Sequence, residues 1–329
     1  MDLSGKRFLV IGGAGLIGSH TVDCLLKHDV AEIIIYDNFC RGTLKNISSA
    51  LKDPRVNIFP FGGDILHRDI LDKAMKGIDG VFHFAAMWLL HCNDFPRTAF
   101  DVNVSGTFNV LEAIIANGVK KIIFSSSASV YGDAIEEPMT EAHPYNNLNF
   151  YGATKIAGEH ICKSTYHTYK NTDKYFDYIG LRYMNVYGPR QDSNGAYIPV
   201  VMRMIDAIEK GEGPTIYGDG SEAFDFIAVE DCARANVNAM KADKTDEFYN
   251  VCTGIRTTLK ELAEKLLELK GSHGEINYQQ KRNHLLVTSR IGSPTKAKLE
   301  INFNPTVNLT DGLKKLCSWK SETKLELSK

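Results

Sequence analysis

The turn Gly12-Gly13-Ala14-Gly15-Leu16-Ile17-Gly18 separates a short apolar run, Lys6-Arg7-Phe8-Leu9-Val10-Ile11, from a stretch with helical periodicity. The run has the β-rich character of a buried parallel strand. From Leu16 to Lys27 the residues Leu16, Ile17, Val22, Leu25 and Leu26 share one helical face. Strand, glycines and helix in this order leave a chain few folds to adopt. The spacing reads both as Gly13-x-Gly15-x-x-Gly18 and as Gly12-x-x-Gly15-x-x-Gly18. Such glycines permit a tight turn, let the backbone approach a pyrophosphate and let the helix pack on the strand. The helix N-terminus then offers free N–H groups and a positive dipole end to the anion.

The following run, Ala31-Glu32-Ile33-Ile34-Ile35-Tyr36, ends in Asp37. A carboxylate about 20 residues beyond the glycines accepts hydrogen bonds from adenosine ribose hydroxyls and repels a 2′-phosphate, which favours NAD over NADP. Arg41 stands close enough to leave some room for NADP. Strands are expected at 7–11, 32–36, 56–60, 80–84, 120–124 and 175–182, with helical patterns between them, notably Thr98 to Asn117 and Tyr151 to Tyr169. This alternation predicts an α/β fold, a doubly wound parallel sheet of Rossmann type. Beyond Leu181 the pattern loosens into shorter strands (215–217, 247–251, 275–278) mixed with helices, one of them opened by the capping box Thr258-x-x-Glu261. We expect a nucleotide-binding domain over 1–182. Residues 183–329 would mainly form a smaller substrate-binding lobe over the carboxyl ends of the strands, some segments returning to the first domain. The polar end from Ser321 is expected to fray.

The 329 residues carry a net charge of −2, so no basic field points to nucleic acid or an anionic membrane. Seven cysteines are scattered without C-x-x-C spacing, the pattern of reduced thiols, and no metal-ligand set stands out. The N-terminus lacks the order of a signal peptide, and the most apolar stretch, Val81 to Leu90, is too short to span a bilayer. A cytoplasmic protein without a membrane partner is expected.

Downstream, Ile122-Ile123-Phe124 leads into Ser125-Ser126-Ser127, which places hydroxyls at the carboxyl edge of the sheet. Tyr151 begins a helix and Lys155 follows at i+4, on the same face. A phenol with an unperturbed pKa near 10 is too weak a base at neutral pH. The Lys155 charge and a positive nicotinamide would stabilise its phenolate. A Tyr–Lys pair alone is common on helix surfaces. Behind a dinucleotide turn and beside a serine cluster it reads as hydride-transfer chemistry, with Ser127, Tyr151 and Lys155 as catalytic candidates.

At this point the chain resembles the extended short-chain dehydrogenase/reductases, and within them the NAD-dependent epimerase/dehydratase group typified by UDP-glucose 4-epimerase. The likeness runs from Gly12 to about Ala297. It rests on the glycine turn, Tyr36-Asp37-Asn38, Gly63-Asp64-Ile65, His83-Phe84-Ala85-Ala86, Asn103-Val104-Ser105-Gly106-Thr107, Ser125 to Gly132, Tyr151-x-x-x-Lys155, and Arg182-Tyr183-Met184-Asn185-Val186-Tyr187-Gly188-Pro189. The resemblance implies NAD held by Gly12, Gly15, Leu16, Ile17, Gly18, Asp37, Asn38, Asp64, Ile65, Phe84, Ala85, Ala86, Asn103, Ser125, Tyr151, Lys155 and Tyr183. His83 reads as a satisfied core histidine.

The group divides by reaction. Its sugar dehydratases carry an Asp-Glu pair at the place of Ala128-Ser129, and its decarboxylases a Glu at Ser129; this chain has neither acid. The resemblance therefore implies a nucleoside-diphosphate-sugar 4-epimerase, a UDP-sugar being favoured. A reductase or dehydrogenase of such sugars with net cofactor turnover stands second, and a non-catalytic NAD-binding protein last. Substrate contacts are expected from Met87, Trp88, Ser127, Asn185, Tyr217, Arg190 and Arg290. Arg290, helped by Asn185, is assigned the substrate diphosphate because Phe224 stands where an arginine is common; Arg190 is the second candidate for that role, and Arg282 lies near Arg290 in the sequence. The helices from Thr98 and from Tyr151 resemble the pair through which such proteins form homodimers.

Overall fold

Seven parallel strands form the central sheet of the computed structural model, which describes residues 1–192, 198–281 and 287–327. Six are β1 (Arg7–Ile11), β2 (Glu32–Tyr36), β3 (Val56–Ile58), β4 (Gly80–His83), β5 (Lys121–Ser127) and β6 (Asp177–Tyr183); the seventh is Glu247–Val251. Across the sheet they run Glu247–Val251, β6, β5, β4, β1, β2, β3, every neighbour parallel. Strand order reverses between β1 and β4, which opens a crevice at their carboxyl ends. Register brings Ile11 opposite both Tyr36 and His83, and Ser127 opposite Tyr183, so the loops after these strands gather along one edge.

The strands read as continuous apolar runs because both faces are covered. Along β1, Phe8 and Val10 face the helices Leu16–Leu25 and Val229–Lys241, while Leu9 and Ile11 face Arg68–Ala74 and Gly106–Asn117. On β5, Ile123 joins the first cluster and Ile122 and Phe124 the second. Contact on that second face is close: a Cβ added at Gly158 of the helix Phe150–Tyr169 would lie 2.5 Å from the Phe124 ring. A third core, with Tyr187, Ile205, Leu262, Leu266, Leu313 and Leu316, joins the helices Val200–Glu209, Leu259–Lys270 and Leu309–Leu327 into the second lobe.

Three differences from the sequence reading have physical causes. Glu247–Val251, expected among the lobe's strands, returns to the central sheet beside β6, where Tyr249 and Val251 are buried. The helical pattern from Thr98 is interrupted: Pro96–Phe100 and Gly106–Asn117 are joined by a π-turn over Asp101–Ser105. Last, the C-terminal helix continues to Leu327 because Lys320 and Lys324 pair with Asp206 and Glu209 of Val200–Glu209. The capping box forms as read, Thr258 Oγ1 accepting from Glu261 N at 3.1 Å and Glu261 Oε2 from Thr258 N at 2.7 Å.

A buried ion pair joins β5, β6 and the helix Phe150–Tyr169. Arg182 donates to both carboxylate oxygens of Glu159 at 2.8 and 2.7 Å, and Ser126 and Tyr145 donate to the same carboxylate. Arg182→Met leaves that carboxylate buried without its counter-charge, which costs about 3–5 kcal/mol. The denaturant midpoint should fall accordingly; a midpoint within about 1 kcal/mol of the parent would contradict this account of the pair.

Candidate active site

The loops at the carboxyl edge enclose a cavity of about 1090 Å³. One end is built on the glycine turn. Gly12 has φ +77°, a conformation that favours glycine, and a Cβ at Gly18 would stand 2.2 Å from the Gly12 carbonyl oxygen. The helix Leu16–Leu25 starts at Gly15 with no side-chain cap and no acid in its first turn. Its first N–H groups are left for an anion. These features fit the pyrophosphate of a dinucleotide.

Asp37 follows β2 at the same end. Its Oδ2 accepts from Ala14 N at 2.9 Å and its Oδ1 from Phe39 N at 2.8 Å. Burial pushes the carboxyl up, and those two N–H groups oppose the shift. The strand-end backbone passes so close that a Cβ at Gly63 would lie 2.1 Å from the Asp37 carbonyl group. Asp64 Oδ1 turns back to Leu66 N at 2.9 Å, and Ile65, Phe84, Ala85 and Val102 complete the apolar wall.

At the other end stand Ser127, Tyr151 and Lys155. Ser127 closes β5 and its Oγ accepts from Ser129 N at 3.1 Å. Asn149 caps the helix that carries Tyr151 and Lys155, accepting from Gly152 N at 2.8 Å. Lys155 donates to Ser125 O at 2.7 Å and lies 5.7 Å from the Tyr151 ring centroid. Burial lowers the Lys155 ammonium to about 8. Burial raises the Tyr151 phenol to about 12, while a hydrogen bond with Ser127 and the Arg41 charge pull it down.

Most of the expected residues line this one cavity: Gly12, Gly15, Leu16, Ile17, Gly18, Asp37, Asn38, Asp64, Ile65, Phe84, Ala85, Ala86, Met87, Trp88, Ser125, Ser127, Tyr151, Lys155, Tyr183, Asn185 and Arg190. Three do not. Asn103 is buried as a brace, accepting from Met87 N at 2.7 Å and donating to Met87 O at 2.8 Å and Thr154 Oγ1 at 3.0 Å. Tyr217 lies on the small sheet Thr215–Tyr217 with Asn277–Gln279. Arg290 is buried, and its Nε and Nη2 donate to the Gly132 carbonyl at 3.1 and 3.0 Å, so its guanidinium does not reach the cavity. Arg282 is outside the described residues.

His83 is buried and held neutral, burial first and the Lys155 charge second lowering it to about 3. Its Nε2 lies 3.1 Å from Thr107 Oγ1, but Nδ1 has no partner, so the ring is only half satisfied.

Other lining residues come from distant parts of the chain. Arg41 reaches away from the Asp37 loop to stack over Trp88, 4.8 Å from its ring centroid, and pairs with Asp192 at 3.4 Å. Trp319 and Thr323 of the C-terminal helix form part of the wall. No local pattern marks either contact.

A parallel sheet with a dinucleotide turn at one end of its crevice and serine, tyrosine and lysine at the other defines a protein of the short-chain dehydrogenase/reductase class. Residues 8–252 match the profile of the NAD dependent epimerase/dehydratase family. A putative UDP-glucose 4-epimerase of Methanocaldococcus jannaschii is 35% identical over 314 residues, covering 94% of this chain and 97% of that protein. The solved UDP-N-acetylglucosamine 4-epimerase of Methanobrevibacter ruminantium, in complex with UDP-N-acetylmuramic acid, superposes with a TM-score of 0.89 at 31% identity, covering 97% of this chain and 99% of that one. A Thermus thermophilus UDP-glucose 4-epimerase solved with NAD gives 0.83 at 30% identity, with 95% and 98% covered. The chain belongs to the NAD-dependent epimerase/dehydratase family and is an enzyme of that family, with NAD as its cofactor. Relatives also include a UDP-N-acetyl-alpha-D-glucosaminuronate decarboxylase of Bacillus cytotoxicus and a dTDP-glucose 4,6-dehydratase of an Actinoplanes species, at 31% and 30% identity.

Gly18→Ala places a methyl group against the Gly12 carbonyl and displaces the turn. The purified variant should keep its circular dichroism and carry little NAD. Cofactor released by acid and measured by absorbance checks this, and a normal NAD content would contradict it.

Proposed function

We propose that this enzyme is an NAD-dependent nucleoside-diphosphate-sugar 4-epimerase, with a UDP-sugar as substrate. The carrying observation is the company kept by Ser127, Tyr151 and Lys155. Of the carboxylates lining the cavity, Asp37 and Asp64 lie at the end built on β2 and β3, and Asp192 is paired with Arg41. Ala128 and Ser129, buried in a turn after β5, bring no acid beside the tyrosine. Dehydration needs a proton donor for the leaving hydroxyl and a base for a C–H proton. Reversible oxidation at one carbon needs neither.

In this reading Tyr151 takes the proton of the sugar 4-hydroxyl while Ser127 hydrogen-bonds the same oxygen. Burial raises the phenol to about 12, and the Ser127 hydrogen bond and the Arg41 charge oppose that shift. The Lys155 ammonium, 5.7 Å from the Tyr151 ring centroid, stands where a positive charge favours the phenolate. NAD, held by the glycine turn and the Asp37 loop, supplies a reversible hydride acceptor and ends as it began. The 4-keto sugar presents its other face, C4 would take the hydride back on that face, and Tyr151 returns the proton to the oxygen. The names of the relatives favour UDP as the nucleotide and a hexose or N-acetylhexosamine as the sugar.

Tyr151→Phe should retain NAD and lose at least the roughly 100-fold typical of general acid–base catalysis, assayed by sugar-product analysis on a panel of nucleotide sugars. Lys155→Met removes the cation that favours the phenolate, so the acid limb of the pH–rate profile should move to higher pH. The parent should turn over without added NAD. A stoichiometric demand for NAD(P)H would replace this reading with net reduction.

We further propose a homodimer formed through Gly106–Asn117 and Phe150–Tyr169, which leave Phe108 and Phe150 exposed at 46% and 38%. Apolar surface of this kind marks association sites. Light scattering at micromolar concentration should give twice the chain mass, and a monomeric mass would refute the assembly.

A further inference from the structure

Arg190 is one of four non-glycine residues at positive φ among the described residues, at +68°, and the only one of them that lines the cavity. An L-residue in this region carries a conformational cost that surrounding contacts must impose. The contact here is with the other half of the molecule. Arg190 follows Gly188-Pro189 after the strand Asn185–Tyr187, yet its Nη2 pairs with Asp23 of the helix Leu16–Leu25 at 2.6 Å. The guanidinium also acts on His20 of that helix, whose ring is lowered first by its burial and then by the Arg190 charge.

Its second terminal nitrogen is different. Nη1 is buried and has no hydrogen-bond partner. A buried guanidinium nitrogen left unpaired loses hydration without recompense, and an ordered structure normally supplies an acceptor. The residues lining the cavity beside this helix are Gly15, Leu16 and Ile17, the uncapped N-terminus that fits a pyrophosphate. A guanidinium tethered to that same helix and unpaired at its other terminal nitrogen matches a phosphate oxygen in charge and in planar geometry.

We propose that Arg190 binds a diphosphate, and specifically that of the cofactor, as a bolt from the substrate lobe onto the cofactor helix. Asp23 holds one arm of the guanidinium; the other meets a pyrophosphate oxygen. Such a contact retains NAD from the lobe that also receives the sugar. The inference rests on the family's cofactor and not on epimerisation, so the 4-epimerase reading could fail without touching it.

The test uses Arg190→Gly, because glycine adopts the left-handed backbone without strain and the fold is kept, and Arg190→Lys, which keeps the charge but not the fork. NAD affinity of stripped protein and UDP affinity are both measured by calorimetry, with melting by circular dichroism as the check on folding. Arg190→Gly should bind NAD at least about tenfold more weakly, with UDP affinity unchanged, as expected for loss of one charge-assisted contact. Arg190→Lys should recover part of the loss. Unchanged NAD affinity in folded Arg190→Gly overturns the proposal. So does a fall in UDP affinity alone, which would move the arginine to the substrate's diphosphate. Should Arg190→Gly prove unfolded, Arg190→Lys decides by itself: NAD affinity equal to the parent's with UDP binding weakened overturns the assignment, and weakened NAD affinity alone supports it.

Discussion

The helix Phe150–Tyr169 carries Tyr151, Lys155 and Glu159 at intervals of one turn on one face, and the last of these fixes where the other two stand. Glu159 is 1% exposed and meets Arg182 of β6, Ser126 of β5 and Tyr145. Arg182 in turn lies 5.0 Å from the Tyr131 ring centroid and 5.1 Å from that of Phe248. A buried ion pair is weak evidence for stability, since desolvation offsets much of its attraction. Its value here is directional. Hydrogen bonds accepted from two neighbouring strands set the height and rotation of the helix over the sheet edge, and an apolar cluster of equal volume would leave both freer to slide. Lys155 then falls beside Ser125 O and Tyr151 opposite Ser127, without further adjustment.

The same logic explains why the segment after β4 is positioned by Asn103. A regular helix through Asp101–Ser105 would give its residues ordinary i to i−4 spacing. The π-turn instead brings the Asn103 amide to both backbone groups of Met87 and to Thr154. Met87 and Trp88, which line the cavity, are thereby tied to the helix that bears Tyr151. One buried amide couples two walls of the site, and the wide turn is what lets it reach.

What the sequence makes legible follows from locality. The runs over 7–11 and 32–36 coincide with strands, because apolar β-rich segments bounded by glycine or charge need no tertiary information. The glycine turn and the Tyr-x-x-x-Lys pair are equally local, being spacings within one turn or one helix. Contacts made across the fold leave no such trace. Arg41 reads as a neighbour of Asp37 and ends over Trp88; Arg290 reads as a cation for the cavity and ends on the Gly132 carbonyl. Glu247–Val251 has the composition of any short strand, and only the position of the preceding helix, Val229–Lys241, against the sheet decides that it joins β6.

The charges of the cavity are largely committed to the protein itself. Arg41 is engaged by Trp88 and Asp192, Arg190 by Asp23 on one arm, and Lys155 by Ser125. Phe224 packs edge-on to Phe226, with ring centroids 6.4 Å apart, within the lobe's apolar core. The chain's 2 tryptophans both line the cavity, beside Val200, Val201 and Phe226. A wall of this kind holds a ligand by area and orients it by few polar atoms. Three such atoms are present on the segment after β6: Asn185 Nδ2, Arg190 Nη1 and Gln191 Oε1 are buried without partners. An amide donor and an amide acceptor six residues apart flank the unpaired Arg190 nitrogen, so buried polar atoms without partners gather on the strand Asn185–Tyr187 and the turn that follows it, in a wall that is otherwise largely apolar.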